Sequence, residues 1–490
     1  MKLRELICDL KYEVVCGELD RDITVLVNDN RKLEKDCVFI AIKGANFDGH
    51  VAVYDAFDEN AAAVIVMDDV DVPEGVTTTV IKVSDTREAL ALTSAAYFGY
   101  PTREVKVVGI TGTKGKTTTT YLIKSILENA GYKVGLIGTI ETIIGDEHIP
   151  SKNTTPESYV LQETFRKMAD AGIQICVMEA SSQGFMMKRT LGTEFEIGIF
   201  TNIEPDHIGP NEHESFEDYM ACKGMLFRQC KVGILNADDE HIEDVLKGHT
   251  CEVETYGLSD GADFKATDIK LFENKGVLGI AFDVTGKLNT RVEINMPGKF
   301  SLYNALTAVA VCSHFNISED NIKVALKAAK VKGRIEMVPV SDEFTLMIDY
   351  AHNAMALESL LTTLKEYENG RLVCVFGCGG NRARSRRFEM GEVSGRLADL
   401  TIITSDNPRY ENPLDIIEDI ITGISKTDGE YVKIPDRKEA IKYAIENGKK
   451  GDIIVLAGKG HEDYQEIEGK KYPMDERVLI AEVLEELKNL

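Results

Sequence analysis

Residues 105–117 read VKVVGITGTKGKT, and the chain continues from there as TTTYLIKSILENAG. The apolar start predicts a strand, the small residues predict a tight loop, and the second run predicts a helix that begins near Lys116. Such a loop binds phosphate well, because its N–H groups and the positive end of the helix face the same anion. The stretch therefore predicts a nucleotide-phosphate site in an α/β fold with parallel strands.

The predicted phosphate loop departs from the usual GxxxxGK[ST] spacing. The position five residues before Gly115 is Ile110, and the nearest earlier glycine before it is Gly109. We still expect Lys116 to contact the β- and γ-phosphates and the Thr117 hydroxyl to bind Mg2+. A glycine turn that binds nothing is the alternative interpretation. The ATP-binding residues expected in this segment are Gly112, Thr113, Lys114, Gly115, Lys116, Thr117 and Thr118.

The composition of the chain excludes some classes of partner. Its 490 residues include 56 Lys and Arg against 81 Asp and Glu, a formal net charge of −25. Binding to nucleic acid or to an anionic membrane needs clustered positive charge, so we expect neither partner. The start of the chain has no signal-peptide core, and the ten cysteines include no CxxC pair. We expect a cytosolic protein with buried free thiols.

The hydrophobic pattern divides the chain into three parts. Residues 1–102 alternate helical stretches with β-branched runs at 38–42, 62–67 and 79–83, and they end in Gly-Tyr-Pro like a linker. From residue 103 near-continuous apolar strands indicate a parallel sheet that is covered on both faces. A second break, which we interpret as a hinge, falls at residues 331–334. The domains predicted are 1–102, 103–332 and 333–490.

Polar residues follow two further apolar strands of the middle part. Glu179 ends one strand in MEASSQ, and His207 follows another in TNIEPDH, with Lys223 downstream. A carboxylate at such a strand end is well placed to meet a metal ion beside the phosphates. A solvated glutamate and a structural histidine are the alternatives. No NKxD-type guanine motif is found, and the combination favours synthetic use of the phosphate over a GTPase switch.

The motifs GTKGKT, MEASS, TNIEPDHI, PGKFSLYNA, GRIE and DYAHNA occur in an order that resembles the Mur ligases, the ATP-dependent amide-forming enzymes of cell-wall precursor synthesis. DGH, NTTP, DNPR and GKGHED resemble the tripeptide-forming branch. The resemblance implies a monomer with a UDP-binding amino-terminal domain, a central P-loop domain and a Rossmann-like carboxy-terminal domain. It also implies that ATP activates the γ-carboxylate of a UDP-N-acetylmuramoyl dipeptide as an acyl phosphate, which the amine of a diamino acid attacks.

The resemblance also implies roles for single residues. The catalytic residues it implies are Lys116, Glu179, His207 and Lys223. Mg2+ would be held by Thr117 together with Glu179, His207 and Lys223. Lys223 would be carbamylated, because a carbamate turns the cationic side chain into an anionic oxygen ligand. An unmodified surface lysine is the alternative. Three more ATP contacts are implied further along the chain, namely Asn304, Arg334 and Asp349.

Two further sets of residues are implied for the other substrates. The residues that match contacts of the nucleotide-sugar peptide are Asp29, Asn30, Arg31, Thr154, Thr155, Ser181 and Arg189. Those that match amino-acid contacts are Arg387, Asp406, Asn407, Arg409, Gly458 and Glu462. The DNPR motif favours meso-diaminopimelate, since an arginine grips a distal carboxylate as a bidentate fork. Glu462 would suit the distal ammonium of the same substrate.

Some positions depart from the pattern of the family. Gln183 stands where many relatives have His, and Asn30 stands where they have Ser. Residues 209–213 lengthen the stretch between His207 and Lys223, a feature that also resembles lysine-adding relatives. L-lysine or another diamino acid is therefore an alternative substrate. More remote alternatives are a folylpolyglutamate-synthetase-like ligase and a nucleotide-gated module without catalytic activity.

Overall fold

The structure is a computed structural model that describes residues 1–44, 47–209, 212–274, 276–367 and 370–489. The described residues form two compact units, 1–263 and 264–490. Helices alternate with mostly parallel strands in both units, which confirms the α/β class predicted from the sequence. Pro210 and Asn211, in the stretch that resembles lysine-adding relatives, lie outside the described residues.

A five-stranded sheet opens the first unit. Its strands are β1 Glu13–Cys16, β2 Leu26–Val27, β3 Val38–Ile40, β4 Ala63–Val66 and β5 Thr79–Lys82, and its helices are α1 Leu3–Leu6, α2 Val53–Asp58 and α3 Thr86–Tyr97. The strand order is β1-β5-β4-β3-β2, with β1 antiparallel to β5 and the other pairs parallel. Strands β3, β4 and β5 confirm the three predicted β-branched runs. Helix α3 begins at Asp85, whose carboxylate accepts the first free N–H groups of the helix.

A larger sheet follows in the same unit. Its strands are β6 Lys106–Thr111, β7 Val134–Ile137, β8 Glu141–Ile144, β9 Glu147–Pro150, β10 Ile175–Glu179, β11 Phe195–Phe200, β12 Cys230–Asn236 and β13 Glu252–Gly257. Its helices are α4 Lys116–Asn129, α5 Ser158–Asp170, α6 Ser182–Met186, α7 Phe216–Gly224 and α8 Ile242–Val245. Within the unit the strand order is β13-β12-β11-β6-β10-β7-β8-β9, and only β8 and β9 are antiparallel to their neighbours.

The position of β6 decides where the site lies. This strand pairs in parallel with β10 on one side and with β11 on the other, so the three carboxyl ends meet at one edge of the sheet. Helices cover both faces, and all five residues of β10 are buried. On α4 the side chains of Leu122, Ile123, Ile126 and Leu127 are fully buried, each contributing about 1.5–3 kcal/mol by leaving water. The core thus holds the loops after β6, β10 and β11 close together.

The second unit begins with an antiparallel ribbon and two helices. These elements are β14 Phe264–Asn274, β15 Val277–Gly286, β16 Thr290–Ile294, α9 Lys299–Ser313 and α10 Glu319–Ala328. Strand β15 pairs with both β14 and β16. Nearly all of α9 is buried, which agrees with its apolar sequence SLYNALTAVAVC.

A six-stranded sheet fills the rest of the second unit. Its strands are β17 Glu336–Val338, β18 Thr345–Asp349, β19 Leu372–Phe376, β20 Leu400–Ile403, β21 Tyr431–Lys433 and β22 Ile453–Ala457, and a separate hairpin consists of β23 Tyr464–Ile467 and β24 Lys470–Pro473. The helices are α11 Ala354–Lys365, α12 Ser385–Leu397, α13 Pro413–Ile424, α14 Arg437–Glu446 and α15 Glu476–Lys488. The order is β17-β18-β22-β19-β20-β21, parallel except for β17.

Among the residues that the structure describes, no helix has both the length and the apolar character needed to cross a bilayer. The ten cysteines are free thiols, and eight of them are buried. Burial raises the pKa of thiols such as that of Cys222, to about 11 in that case, with the nearby Asp218 carboxylate acting in the same direction. These thiols are therefore protonated at neutral pH.

Candidate functional site

The phosphate loop leaves the carboxyl end of β6 and enters α4 at Gly115. Gly112 and Gly115 have φ angles of 146° and 86°, in a region that residues with a Cβ atom rarely adopt. A Cβ atom on Gly112 would stand 1.9 Å from the hydroxyl oxygen of Thr201, so space also requires glycine there. The first N–H groups of α4 have no partner inside the helix and are suited to bind an anion. The predicted strand, loop and helix are all present.

Lys116 is folded back onto its own loop. Its Nζ donates to the carbonyl oxygen of Gly112 at 2.7 Å and to that of Thr113 at 3.1 Å. Both of these acceptors belong to the loop itself, so the ammonium is held within the loop. The geometry therefore agrees with a lysine that reaches phosphate oxygens from within the loop.

The segment after β11 holds the loop from outside. The backbone carbonyl of Asn202 accepts the N–H of Thr113 at 2.9 Å, and its side-chain carbonyl accepts the N–H of Lys114 at 2.9 Å. The Thr201 hydroxyl donates to the carbonyl of Lys114 at 2.7 Å, and the Lys114 ammonium pairs with Glu204 at 2.7 Å. Lys114 therefore serves as a link between the loop and the segment after β11.

Glu179 ends β10 and is almost fully buried. One carboxylate oxygen accepts the N–H of Thr139 and the other accepts the Thr139 hydroxyl, both at 2.9 Å. The Thr139 hydroxyl also lies 3.1 Å from that of Thr154. A carboxylate whose two oxygens each accept one hydrogen bond keeps further lone pairs for a cation. Glu179 is a fixed anion and not a solvated strand end.

The residues predicted to contact the nucleotide-sugar peptide in this unit lie next to Glu179. The Thr155 hydroxyl donates to the carbonyl of Glu179 at 3.0 Å and lies 3.1 Å from the Ser181 hydroxyl. Buried Arg189 donates to the carbonyl of Thr155 at 3.1 Å and to Glu157 at 2.5 Å. Its Nε is buried and has no partner among the described residues. Thr154, Thr155, Ser181 and Arg189 thus form one polar group around the predicted metal ligand.

Lys223 lies on α7 and is only 1% exposed, so the alternative of a surface lysine is wrong. Its Nζ lies 4.3 Å from the ring centroid of Tyr219, and within the described part of the chain it makes no ion pair. Burial lowers the pKa of this ammonium well below its usual range, and the nearby positive charge of Lys116 lowers it further. The neutral amine is therefore readily available. The Tyr219 hydroxyl lies 3.1 Å from that of Thr113, which joins α7 to the phosphate loop.

His207 lies in the loop after β11 with a φ of 53° and a side chain that is 59% exposed. Its Nδ1 lies 3.3 Å from Glu212, and its ring centroid lies 6.2 Å from that of Tyr219. Among the described residues it makes no hydrogen bond with Glu179. The nearby His213 is buried and hydrogen-bonded to Asp218 at 2.8 Å. His207 and Lys223 therefore both lie next to Tyr219, and the imidazole ring of His207 is exposed and accessible to a ligand.

The predicted uridine-end loop lies in the amino-terminal sheet. Asp29 accepts the N–H of Arg31 at 3.1 Å and pairs with its guanidinium at 2.7 Å. The hydrogen bond from the Arg31 side chain and, to a smaller extent, the one from the Arg31 backbone lower the pKa of Asp29 to about 2. Asn30 begins a short 3-10 turn, and Arg31 is largely exposed. Asp29 therefore acts as a cap that shapes the loop.

The three predicted ATP contacts of the second unit lie on α9, at the end of β18 and, for Arg334, in the turn before β17. Asn304 is a buried residue of α9. Asp349 ends β18 and accepts the N–H of Ile335 at 2.8 Å and that of Ala351 at 2.9 Å. Burial raises the pKa of Asp349, and the charge of Arg334 opposes the shift. Because Arg334 and Asp349 are close neighbours at a strand end, they suit a ribose and a phosphate.

Asn407 and Arg409 follow β20 in the DNPR motif. Arg409 donates from Nε to Glu466 at 3.0 Å and from Nη1 to the carbonyl of Gly380 at 2.8 Å. The Nη2 group of this arginine makes no hydrogen bond within the described residues, so it is available to a carboxylate. Arg409 also lines a cavity of about 790 Å3 beside the β23–β24 hairpin.

Glu462 lies beside Asn407, and we call Asn407, Arg409 and Glu462 the amino-acid cluster. The Asn407 amide donates to Glu462 Oε2 at 2.9 Å. Gly458 follows β22 with a φ of 106°, and a Cβ atom there would stand 3.1 Å from the carboxylate of Asp406. Four of the predicted amino-acid contacts and Gly458 itself therefore converge on one place. Arg409 and Glu462 are linked through Glu466 and Asn407, because the Glu466 carboxylate accepts from Arg409 and the Glu466 N–H donates to Asn407.

Arg387 is the predicted amino-acid contact that the structure does not bring into this cluster. It is a buried residue of α12, and its guanidinium pairs with Glu411 at 2.7 Å and with Asp419 at 3.0 Å. Arg384 pairs with the same Asp419 at 2.6 Å. Within the described chain Arg387 serves to join α12 to α13.

Several residues that shape the site were missed from the sequence. Thr139 and Asn202 hold Glu179 and the phosphate loop, and the signal for both is a small polar residue directly after a strand. Lys459, in the GKGHED motif, is fully buried and contacts both Asn407 and Glu462. No sequence signal predicts its burial, because lysine is almost always exposed.

Three family descriptions match this chain. Residues 22–98 match the Mur ligase family catalytic domain, residues 110–312 the Mur ligase middle domain, and residues 333–460 the Mur ligase glutamate ligase domain. Together these matches extend along most of the sequence, and they follow the chain order of the five-stranded sheet, the larger sheet with the ribbon, and the six-stranded sheet. The matched residues include the phosphate loop, the Glu179 network, and Asn407 and Arg409.

The chain is also similar to curated proteins over its full length. It is 44% identical to UDP-N-acetylmuramoyl-L-alanyl-D-glutamate–2,6-diaminopimelate ligase 1 of Clostridium acetobutylicum, over 99% of this chain and 100% of that protein. It is 41% identical to the diaminopimelate ligase of Clostridium perfringens, with the same coverage. A solved structure of a UDP-N-acetylmuramoyl-L-alanyl-D-glutamate–2,6-diaminopimelate ligase superposes with a TM-score of 0.75 at 28% identity, covering 100% of this chain and 99% of that one.

Proposed function

The chain belongs to the Mur ligase family, and on this premise we propose that it adds meso-2,6-diaminopimelate to UDP-N-acetylmuramoyl-L-alanyl-D-glutamate with ATP. The observation that carries the proposal is the amino-acid cluster. It contains an arginine with an available Nη2 group and a carboxylate with an available oxygen, which suit a distal carboxylate and a distal ammonium. The full-length similarity to diaminopimelate ligases supports the same assignment and counts against a folylpolyglutamate synthetase.

The first step activates a carboxylate that is otherwise a poor electrophile. A carboxylate oxygen of the D-Glu side chain attacks the γ-phosphorus of ATP, and the bond to the β-phosphate oxygen breaks to release ADP. Negative charge spreads over the transferred phosphoryl group as this happens. Lys116 and the N–H groups at the start of α4 stabilise that charge, and their positions are set before the reaction by the loop.

The residues around Glu179 and Lys223 fit a Mg2+ ion. Glu179 is a buried carboxylate with lone pairs to spare, and Mg2+ prefers such oxygen ligands. Lys223 supports the fit because a neutral amine is the form that reacts with CO2, and burial favours that form here. We propose that Thr117, Glu179, His207 and a carbamate on Lys223 hold the ion. When bound, Mg2+ would neutralise phosphate charge.

The second step forms the amide. The neutral amine of diaminopimelate attacks the acyl carbon and the C–N bond forms. The bond to the phosphate oxygen breaks, inorganic phosphate leaves with the electron pair, and the proton lost by the nitrogen goes to the released phosphate. The amino-acid cluster orients this amine by holding the far end of the molecule. Arg409 binds the distal carboxylate, and Glu462 binds the distal ammonium. L-lysine has the ammonium but lacks the distal carboxylate, so it would leave the Nη2 group of Arg409 without an acceptor.

The remaining assignments concern the nucleotide-sugar peptide and the arrangement of the chain. We propose that the loop at 29–31 binds the uridine end, and that Thr154, Thr155, Ser181 and Arg189 bind nearer the peptide. The buried Nε of Arg189, which has no partner within the described residues, supports an anionic ligand. We further propose three domains at 1–102, 103–332 and 333–490, ATP contacts at Asn304, Arg334 and Asp349, and a cytoplasmic monomer.

A product assay tests this function. Purified protein is incubated with ATP, MgCl2 and the UDP-sugar dipeptide, together with meso-diaminopimelate or L-lysine, and ADP and the nucleotide tripeptide are measured. We expect a product with the mass of the diaminopimelate tripeptide, and ADP only when both substrates are present. Product from L-lysine alone would overturn the amino-acid assignment. ADP release that ignores both substrates would favour a nucleotide-gated module, and release with folate and glutamate would favour the folylpolyglutamate alternative.

A further inference from the structure

Lys459 is a fully buried lysine in the second unit, two residues after β22. Its ammonium donates to Asn407 Oδ1 at 3.0 Å, to Glu462 Oε2 at 2.8 Å and to the carbonyl of Tyr464 at 2.5 Å. An ammonium has three protons, so these three acceptors satisfy it completely. Lys459 therefore has no proton left for a substrate, and whatever it does for the reaction it does through its partners.

The first partner, Asn407, has its amide orientation set by Lys459. Its Oδ1 accepts both the Lys459 ammonium and the N–H of Glu466 at 2.9 Å, so both lone pairs of the oxygen are in use. The Nδ2 group must then face the other way, where it donates one proton to Glu462. The second Nδ2 proton makes no hydrogen bond with the described residues. A rotated amide would place its NH2 group against an ammonium.

The second partner, Glu462, has one oxygen in use and one available. Oε2 accepts from Lys459 and from Asn407, whereas Oε1 accepts no hydrogen bond from the described residues. An acceptor of this kind suits the distal ammonium of a diamino acid. Because the carboxylate is anchored through Oε2, Oε1 has a defined position before the substrate arrives.

The charge on Glu462 also depends on Lys459. Burial alone raises the pKa of this carboxyl, but the charge and hydrogen bond of Lys459, with the hydrogen bond of Asn407, lower it on balance. The adjacent His461 lies over Tyr350, and burial together with Arg334 lowers the pKa of its imidazole to about 4. His461 is therefore neutral above that pH. Among the described groups that face Glu462, Lys459 is the cation that keeps it ionised.

We propose that Lys459 is a positioning residue for the amino-acid substrate, one that orients Asn407 and anchors Glu462 so that the pair receives the distal end of a diamino acid. This inference rests on the proposed function, since it deepens the assignment of the amino-acid cluster. It explains why a lysine is fully buried beside a substrate site without touching the substrate.

The test compares Lys459→Met with Lys471→Met. Methionine keeps the length of the side chain and removes the ammonium. Lys471 is the matched control, because its ammonium lies 3.8 Å from the ring centroid of the same Tyr464 but on the exposed strand β24. We expect Lys459→Met to raise KM for meso-diaminopimelate at least tenfold at pH 8 and to leave KM for ATP within twofold. Lys471→Met should leave both values within twofold.

A pH series separates positioning from a structural role. In the wild type Glu462 has a lowered pKa and stays ionised, so KM for diaminopimelate should hardly change between pH 8.5 and 6. In Lys459→Met burial acts without the opposing cation, so Glu462 takes up a proton as the pH falls and KM should rise further. A loss that is equal for all substrates and independent of pH would overturn the proposal, as would an unchanged KM for diaminopimelate.

A second variant covers the case in which Lys459→Met does not fold. The double variant Lys459→Met/Glu462→Gln removes both charges, which avoids a buried unpaired carboxylate. Relative to Glu462→Gln, the double variant should change KM for meso-diaminopimelate less than about threefold, because the carboxylate that Lys459 anchors is already gone. A further rise of tenfold or more over Glu462→Gln would overturn the proposal. The wild-type protein in the same assay separates the two claims. A wild type that does not use diaminopimelate contradicts the proposed function. It does not contradict the role of Lys459 in binding whichever diamino acid the enzyme uses.

Discussion

The phosphate loop and the amino-acid cluster both present charged side chains to a ligand, but the chain assembles them differently. In the loop, Lys116 is held by carbonyl groups three and four residues before it. In the cluster, Asn407 is held by a lysine 52 residues away, and Arg409 is held by a glutamate 57 residues away. The loop therefore depends on a short local motif, whereas the cluster depends on how the carboxy-terminal sheet brings distant segments together.

This difference predicts how each region responds to change. A local motif should fail only when its own residues are replaced, and the rest of the protein should keep its stability. A cluster built from distant segments should also respond to changes in the packing around it. Substitutions in the phosphate loop should thus change the kinetic constants for ATP, and substitutions in the amino-acid cluster should change those for the amino acid.

The largest effect is expected for Lys116→Ala. Loss of a donor that stabilises the transferred phosphoryl group should lower the rate of ADP formation by about 10³-fold. The unfolding midpoint should hardly change, because the Lys116 ammonium donates to carbonyl groups of its own loop. Lys124→Ala is the control on the same helix, where the side chain pairs with Glu128. A Lys116→Ala variant with half of the wild-type rate would contradict a local phosphate site.

Arg409→Lys should have the next largest effect. Lysine keeps the charge but loses the fork of donors, and hydrogen bonds to charged groups contribute about 1.5–3 kcal/mol. KM for diaminopimelate should therefore rise about tenfold to hundredfold in steady-state assays, while any turnover of L-lysine should hardly change. Arg384→Lys serves as the control, since Arg384 is largely exposed and pairs with Asp419. Equal effects on both amino acids would contradict a carboxylate-binding role.

A reciprocal pair of glycine variants compares the two regions directly. A Cβ atom on Gly380 would stand 1.9 Å from the carbonyl oxygen of Pro408, so Gly380→Ala should displace Arg409 and raise KM for diaminopimelate about tenfold. Gly112→Ala should instead raise KM for ATP by a similar factor, because its Cβ atom would meet Thr201. Initial rates with each substrate varied in turn give both values. If either variant changed both KM values alike, the two regions would not be independent.

The smallest effect on activity, with a clear effect on stability, is expected for Asp452→Asn. This buried carboxylate, just before β22, accepts from the Arg371 guanidinium at 2.6 Å and from the N–H of Lys449 at 2.8 Å. Burial raises its pKa, but the Arg371 and backbone hydrogen bonds lower it on balance. Urea unfolding at pH 7 should show a loss of about 3 kcal/mol, the usual result of breaking a buried pair. KM for ATP should stay unchanged.

The pH dependence of this loss has a definite sign. A carboxyl with a lowered pKa in the folded protein stabilises it above the pKa of the unfolded chain, about 3.9 for Asp. The difference between wild type and Asp452→Asn should be complete above about pH 5 and should shrink as the pH falls through the lower pKa of the folded state. Asp342→Asn, on an exposed loop, is the control and should change little. A difference that stays constant down to pH 3 would contradict the assignment.

The first unit agrees closely with what could be predicted from the sequence. Strand β6, the loop after it and helix α4 follow from one stretch of residues, because periodicity and glycine spacing are local signals. The grouping of Thr155, Ser181 and Glu179 was implied only by resemblance, and the structure adds hydrogen bonds among them. Their neighbour Thr139 has a local signal, since it is a small polar residue just after a strand, but its contact with Glu179 joins two strand ends that are far apart in the sequence.

In the second unit the site was less predictable. Arg387 matches an amino-acid contact by position, but it lies in a buried ion network between two helices. An arginine can bind a substrate carboxylate or form a structural ion pair, and the sequence looks the same in both cases. Only the packing of α12 against α13 distinguishes the two roles. The motif GKGHED likewise contains Lys459, yet nothing in its spacing shows that the ammonium is buried.

By itself the sequence determined the class of fold, the nucleotide loop and the order of motifs that marks the family. These follow from residue types a few positions apart, where the backbone transmits geometry directly. Only the tertiary structure decided which oxygen of Glu462 is available, which way the Asn407 amide faces and that Lys223 is buried. Those properties depend on partners far apart in the chain and on exclusion of water, which arise only when the sheets and helices pack.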